Sequence, residues 1–121
     1  MSNKVLNFKD KLTRFTDTWS PKVIGELNDY QFKLAKFHGE FVWHQHDDTD
    51  EAFIVIKGNL EIALKEQTVH LCEGEMYIVP KGVLHKPSAA EICEVLLIEP
   101  KNLVNTGNTV NELTAENDVW V

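Results

Sequence analysis

Arginine is almost missing: the 121-residue chain contains one, Arg14. Bidentate gripping of phosphate or carboxylate groups is mainly arginine's work, so an anionic ligand here must rely on lysines or backbone N–H groups. Cysteine is nearly as scarce. Cys72 and Cys93 have 20 residues between them and form no CxxC pair, which excludes a disulfide framework and a thiolate zinc site. Two small, partly buried residues in a reducing cytosol are expected instead. No apolar run approaches the ~20 residues of a membrane span. The opening "MSNKVLNFKDKL" also lacks the unbroken apolar core of a signal peptide. The expectation is a cytoplasmic protein with no membrane partner. Positive charge is in deficit, with 12 Lys and Arg against 19 Asp and Glu for a net charge of −7. That argues against nucleic acid as a partner, since such a surface needs clustered cations. A helix-turn-helix segment, an internal repeat and low-complexity sequence are all lacking.

What is there is ordinary globular material, 43% hydrophobic and 26% charged. The length suits one domain over residues 1–121. It divides into an N-terminal helix and strand (1–28), a barrel (29–100) and a C-terminal extension (101–121). In "NFKDKLTRF", Phe8, Leu12 and Phe15 form an apolar stripe at helical spacing with Asn7 as N-cap, and Ser20-Pro21 ends any helix. The period then changes. "KVIGEL", "YQFKLAKF", "EFVWHQH", "AFIVIKG", "LEIALK", "TVHL", "MYIVP" and "EICEVLLIEP" are short runs rich in β-branched and aromatic residues. Turn signals divide them: "LNDY", "HGE", "KGN", "KEQ", "CEGE", "PKG" and "KPSAA". About eight strands without intervening helices predict an all-β antiparallel sandwich or barrel. The tail "KNLVNTGNTVNELTAENDVWV" reads as an ordered extension that pins Leu113, Val119 and Trp120 onto that barrel.

One stretch carries chemistry. "HQHDDTDE", residues 44–51, packs two histidines and four carboxylates into eight positions. If "EFVWHQH" is a strand, Val42, His44 and His46 share a face, and two residues advance roughly 6–7 Å. A hairpin through "DDTD" sets Glu51 beside both imidazoles. Two imidazoles and a carboxylate are three ligands for a divalent transition metal. Asp47, Asp48 and Asp50 are expected in water as turn residues. A His-x-His pair alone is weak evidence, because histidines in strands are more often surface or hydrogen-bonded core residues. "GEMYIVPKGVLHKP" adds His85 at the start of another strand, after a reversal at Pro80 and Gly82.

Together these stretches resemble the cupin superfamily. The first cupin motif is matched by Gly39, His44, His46, Glu51 and Gly58, and the second by Gly74, Pro80, Gly82 and His85. The gap between Gly58 and Gly74 is 15 residues, which suits a compact member. More narrowly, the chain is similar to small single-domain cupins sometimes labelled as resembling mannose-6-phosphate isomerase, through "WSPKVIGELNDYQFKL" and "EPKNLVNTG". The resemblance implies a cupin β-barrel, the jelly-roll-like double-stranded β-helix, behind a short N-terminal helix. It also implies that His44, His46, Glu51 and His85 ligate one divalent metal, which could be Fe, Mn, Ni, Zn or Cu. The chain departs twice: four residues rather than five separate Gly39 from His44, and Ala89 stands where the family usually has a supporting asparagine.

Three imidazoles and one carboxylate leave coordination positions open, as a catalytic or ligand-binding site requires. Oxygenase or isomerase chemistry on a small organic molecule is one expectation. The other is a non-catalytic, metal-dependent binder of a small ligand, favoured by the lack of an obvious general base beyond the ligands. Phosphate substrates are poorly supported, because Lys33, Lys36, Lys81 and Lys86 read as scattered, solvated positions. Trp43 should face away from the site, either Met76 or Tyr77 should line the pocket, His38 lies near the entrance or on the surface, and His70 lies on the surface. The short strand "SPKVIGEL" predicts a C₂ homodimer by edge pairing; the alternative is that Val23, Ile24 and Leu27 pack on their own barrel.

Overall fold

Period-two alternation governs the chain from Lys22 onward, and it builds the sheet that positions everything else. The computed structural model describes residues 4–107, 109 and 111–121. Its elements are a helix α1 (Phe8–Leu12) and strands β1 (Lys22–Leu27), β2 (Tyr30–Glu40), β3 (Glu51–Lys57), β4 (Leu60–Ala63), β5 (Thr68–Leu71), β6 (Met76–Val79) and β7 (Lys86–Pro100). The strands run antiparallel in the order β1-β2-β7-β3-β6, with β4 pairing β5 and β7. The long strand β7 keeps β2 along one edge. On its other edge it pairs first with β4, at Lys86–Ser88, and then with β3, from Glu94 to Ile98. That exchange curls the sheet into a barrel-like all-β shell.

Every second residue of β3 points inward: Glu51, Phe53 and Val55 are buried, and Ala52, Ile54 and Ile56 are half-buried on the other face. On β2 the inward set is Gln31, Lys33, Ala35 and Phe37, and on β7 it is Cys93, Val95, Leu97 and Glu99. Phe53, Val55, Leu60, Ile62, Val79 and Val95 fill the interior. Removing such side chains from water stabilises the fold by about 1.5–3 kcal/mol each. The outer face has its own cluster, in which Leu12 and Phe15 cover Ile24, Leu34 and Leu96. Gly58 marks a close approach: its φ is +95°, and a side chain there would press on the Ile92 carbonyl and Cys93 Cα at 3.1 and 3.2 Å.

Several expectations are corrected. Among the described residues seven strands form rather than about eight, because "EFVWHQH" makes no regular strand beyond Glu40; within it His44 forms an isolated bridge to His85 through two backbone hydrogen bonds of 3.0 and 2.9 Å. The reason lies in the side chains. His44 and His85 each turn Nδ1 back onto the carbonyl two residues earlier, Val42 and Val83, both at 2.9 Å. Those carbonyls are therefore engaged by a ring rather than by a neighbouring strand. "KPSAA", expected as a turn, lies inside β7 and pairs with β2 and β4. The helix is shorter than the apolar stripe: Asn7 caps it by accepting the Asp10 N–H at 2.9 Å, but Phe8 is exposed and Phe15 docks from beyond its end. In the C-terminal extension Leu113 packs on the interior and Val119 is half-buried, whereas Trp120 stays 50% exposed. The extension is held to β1 by backbone bonds from Val23 to Val119 and from Val121 to Val23. Val23 and Ile24 are buried on the chain's own sheet, and Leu27 is exposed.

Candidate metal centre

The sheet brings His44, His46, Glu51 and His85 into one cluster, with a donor atom from each lying within 4.8 Å of the others. Glu51 comes from the first residue of β3, His85 from the residue before β7, and His44 from the bridge facing it. The four are 2%, 5%, 4% and 0% exposed in chain order. His46 Nε2 and His85 Nε2 stand 3.3 and 3.4 Å from the same oxygen, Glu51 Oε1. The His44 and His85 rings lie 4.2 Å apart.

Tautomers follow from the backbone. A carbonyl only accepts, so Nδ1 of His44 and of His85 carries a hydrogen, and in the neutral ring Nε2 is then the nitrogen free to ligate. Such fixing of the far nitrogen is how ligating histidines are usually oriented. Burial, reinforced by the neighbouring His85, pushes His44 down to about 4, so it is neutral near pH 7. Burial alone would raise the Glu51 carboxyl, but the facing His46 and His85 rings hold it well below the usual range. Neutral imidazoles and an ionised carboxylate are the forms that bind a cation.

Four buried atoms of this cluster, Nδ1 and Nε2 of His46, Oε1 of Glu51 and Nε2 of His85, have no hydrogen-bond partner. Orphaned buried polar atoms are rare because each costs about 1–3 kcal/mol. Three of the four converge on one point, as expected of donors that share a cation. The donor set therefore fits a divalent transition ion.

The family model for the cupin domain matches residues 32–99, a span that contains all four residues. The chain belongs to the cupin family. A cupin-2 domain containing protein from Shewanella frigidimarina NCIMB 400 has a crystal structure similar to this cupin, with 59% identity over 80% of this chain and 95% of that one, at a TM-score of 0.80. The crystal structure of protein NMB1881 from Neisseria meningitidis is similar at 30% identity, over 81% of this chain and all (100%) of that one, at a TM-score of 0.74. Among curated relatives, the uncharacterized protein YdbB of Bacillus subtilis (strain 168) is 44% identical over 64 residues. That match spans 52% of this chain and 57% of the relative.

Around the cluster, Trp43, His70 and the turn aspartates lie where expected, whereas the pocket wall and Lys33 do not. Neither Met76 nor Tyr77 lines the cavity beside it: Met76 is exposed, and Tyr77 packs on the interior cluster away from the cavity wall. Trp43 faces outward, under Lys86, and His38 and His70 are at the surface. Asp47, Asp48 and Asp50 are exposed, and Asp50 accepts the Lys81 N–H at 2.9 Å. Lys36 and Lys86 are engaged with the Phe15 carbonyl and with Glu40. Lys33 is no solvated lysine; it is 3% exposed and bonds Glu99, itself 2% exposed, at 2.8 Å. Burial and the nearby Glu51 carboxylate push the Glu99 carboxyl well above the usual range, with Lys33 opposing.

Glu99 is the residue that sequence reasoning missed. Its signal was phase: in "VLLIE" it continues the inward series Val95 and Leu97, as Lys33 precedes Ala35 and Phe37. Trp19 and Asn105 were missed as well. Trp19 sits at φ +58° and stacks on Phe37 and Phe41 at 4.3 and 4.6 Å. Asn105 donates to the Trp19 carbonyl at 2.9 Å and ties the C-terminal extension over the cluster. Beside it, Gly107 has φ +60°, and a Cβ there would collide with the Gln45 carbonyl.

Proposed function

We propose that this cupin binds one divalent transition metal ion through His44, His46, Glu51 and His85 and uses it to bind or transform a small organic molecule. The observation that carries this reading is the convergence of donor atoms from four buried side chains within 4.8 Å, with those of His46, Glu51 and His85 left without a hydrogen-bond partner. A bound ion would supply Lewis-acid polarisation of a carbonyl or hydroxyl, or redox activation of dioxygen. The chain's own part is clearer. The Val42 and Val83 carbonyls hold two imidazoles in the ligating tautomer, and the shell of Trp19, Phe37, Phe41 and Phe53 keeps bulk water away. With one arginine in the chain, salt-bridged to Asp10 on the surface, phosphate substrates are unsupported.

Elemental analysis of protein purified without chelator or affinity metal, followed by an oxygen-consumption screen, tests the reading. Iron with substrate-dependent oxygen uptake supports an oxygenase. Zinc without oxygen chemistry supports an isomerase or a binder. Absence of any stoichiometric ion after incubation with each candidate metal refutes the site. A non-catalytic binding module is favoured by one observation: the cavity beside the cluster encloses only about 20 Å³, so a larger substrate needs the Trp19 wall to move.

The same reading includes a homodimer. The outer sheet face carries two apolar rows in register, Phe32–Ile98–Ala52–Ile78 and Leu34–Leu96–Ile54–Met76. α1 covers Leu34 and Leu96, but Ile78 and Met76 at the β6 edge are 49% and 56% exposed. Strands apolar on both faces are typical of sheets buried on both sides. A second copy related by a twofold axis would cover them, and sedimentation of the intact chain tests this.

A further inference from the structure

The Lys33–Glu99 pair takes no part in the ligand set, yet it lies against it. Glu51 directly precedes Ala52 and Glu99 directly follows Ile98, its antiparallel partner, and both carboxyl side chains are buried. Lys33 occupies Glu99 Oε1 at 2.8 Å, whereas Glu99 Oε2, buried, has no partner. That free oxygen belongs to a residue lining the cavity of about 20 Å³ shared with His44 and Glu51. A second cavity, of about 10 Å³, is lined by both members of the pair. Its walls repeat Pro21, Glu99 and Asn105 and reach the exposed Glu116.

The sizes narrow the occupant. A space of roughly 10–15 Å³ accommodates one water, provided that polar groups face it. The larger cavity meets the size condition, and two carboxyl side chains line it, Glu51 and Glu99, the latter with a buried Oε2 that has no partner. The smaller one is at the limit for a single molecule. The aromatic walls offer no competing donor: the Trp19 indole N–H is already spent on the His38 carbonyl at 2.9 Å.

We propose that Glu99, braced by Lys33, is a water-positioning residue: it anchors an ordered water beside His44 and Glu51, and the two cavities that meet at Glu99 pass water between this position and the surface near Glu116. Water is then the resident ligand next to the cluster, and the oxygen or nitrogen of a substrate enters by displacing it. The part that concerns the ion rests on the metal-centre reading above; the water position itself does not.

Three proteins test it: wild type, Glu99→Gln, which keeps an oxygen at the position, and Lys33→Met/Glu99→Leu, which removes the pair together so that no unpaired charge is left buried. Metal-free crystals of each, at a resolution that shows buried waters, give the first readout. A water within about 3.2 Å of side chain 99 is expected in wild type and Glu99→Gln and is lost in the double variant. A dry cavity in wild type, or the same water in the double variant, overturns the proposal. The second readout is solvent-proton relaxation by Mn(II)-loaded protein, normalised to bound ion measured by equilibrium dialysis. The double variant should lose most of the exchange-dependent relaxation and Glu99→Gln should recover it; equal relaxation per ion in all three overturns the water path. Failure of wild type to take up Mn(II) counts against the metal reading, and the crystals still decide the water position.

Discussion

Acid should destabilise the metal-free protein through His44, by an amount the structure allows to be worked out. The folded protein lowers His44 from its ordinary 6.5 to about 4, chiefly because burial disfavours the imidazolium, with His85 adding to it. A depressed histidine contributes stability that is fully present above about 6.5. This stability is lost as pH falls toward the folded value of about 4. At about 1.4 kcal/mol per pH unit, that fall amounts to ~3 kcal/mol, an order-of-magnitude figure. Glu51, held below the usual carboxylate range, adds a loss in the same direction at more acid pH, and the raised Glu99 opposes it. The His44 share is isolated by His44→Gln, which keeps an amide able to donate to the Val42 carbonyl but cannot titrate. Urea denaturation of chelator-treated protein between pH 7 and pH 4 is the assay. Slopes are about 1–3 kcal/mol per M for small proteins, so the wild-type midpoint should fall by ~1–3 M more than the variant's. Parallel pH profiles for the two proteins would refute the assignment of a buried, neutral His44.

Replacing His46 or His85 with alanine should weaken metal binding by orders of magnitude while circular dichroism keeps its strand signature; full occupancy in His44→Ala/His46→Ala rules the site out. Metal occupancy should also drop as pH falls through about 6, where free imidazole titrates, and ion retention to about pH 4 would point to other ligands. Gly107→Ala places a Cβ against the Gln45 carbonyl at a left-handed φ. It should lower thermal stability by ~2 kcal/mol or more, read as a melting-temperature drop of ~5–10 °C; an unchanged melting temperature would mean that the extension does not pack on the ligand loop. A clean monomer for the intact chain at tens of micromolar, about the working range for weak dimers, would remove the homodimer.

Local pattern carried the strands and the ligand identities. Alternation along "AFIVIKG" and "YQFKLAKF" depends only on neighbouring residues, because successive side chains of a strand point to opposite faces. The histidine and glutamate spacings, flanked by turn glycines, were legible for the same reason. The path of "EFVWHQH" was not, because its departure from the sheet depends on two imidazoles taking up the Val42 and Val83 carbonyls. Nor did "KPSAA" announce a strand; pairing with both β2 and β4 overrides its turn composition.

Residue order alone determined which side chains can ligate and which face of each strand they occupy. Tertiary structure decided which of them meet. Glu99 and Lys33 look like any surface ion pair in one dimension, 66 positions apart. Only the register of β2, β7 and β3 sets them beside Glu51 in the buried interior of the barrel. Trp19, Asn105 and Gly107 likewise gain their places from a C-terminal extension folded back across the site. Contacts between residues far apart in sequence are set by the closing of the sheet, and no short-range pattern encodes them.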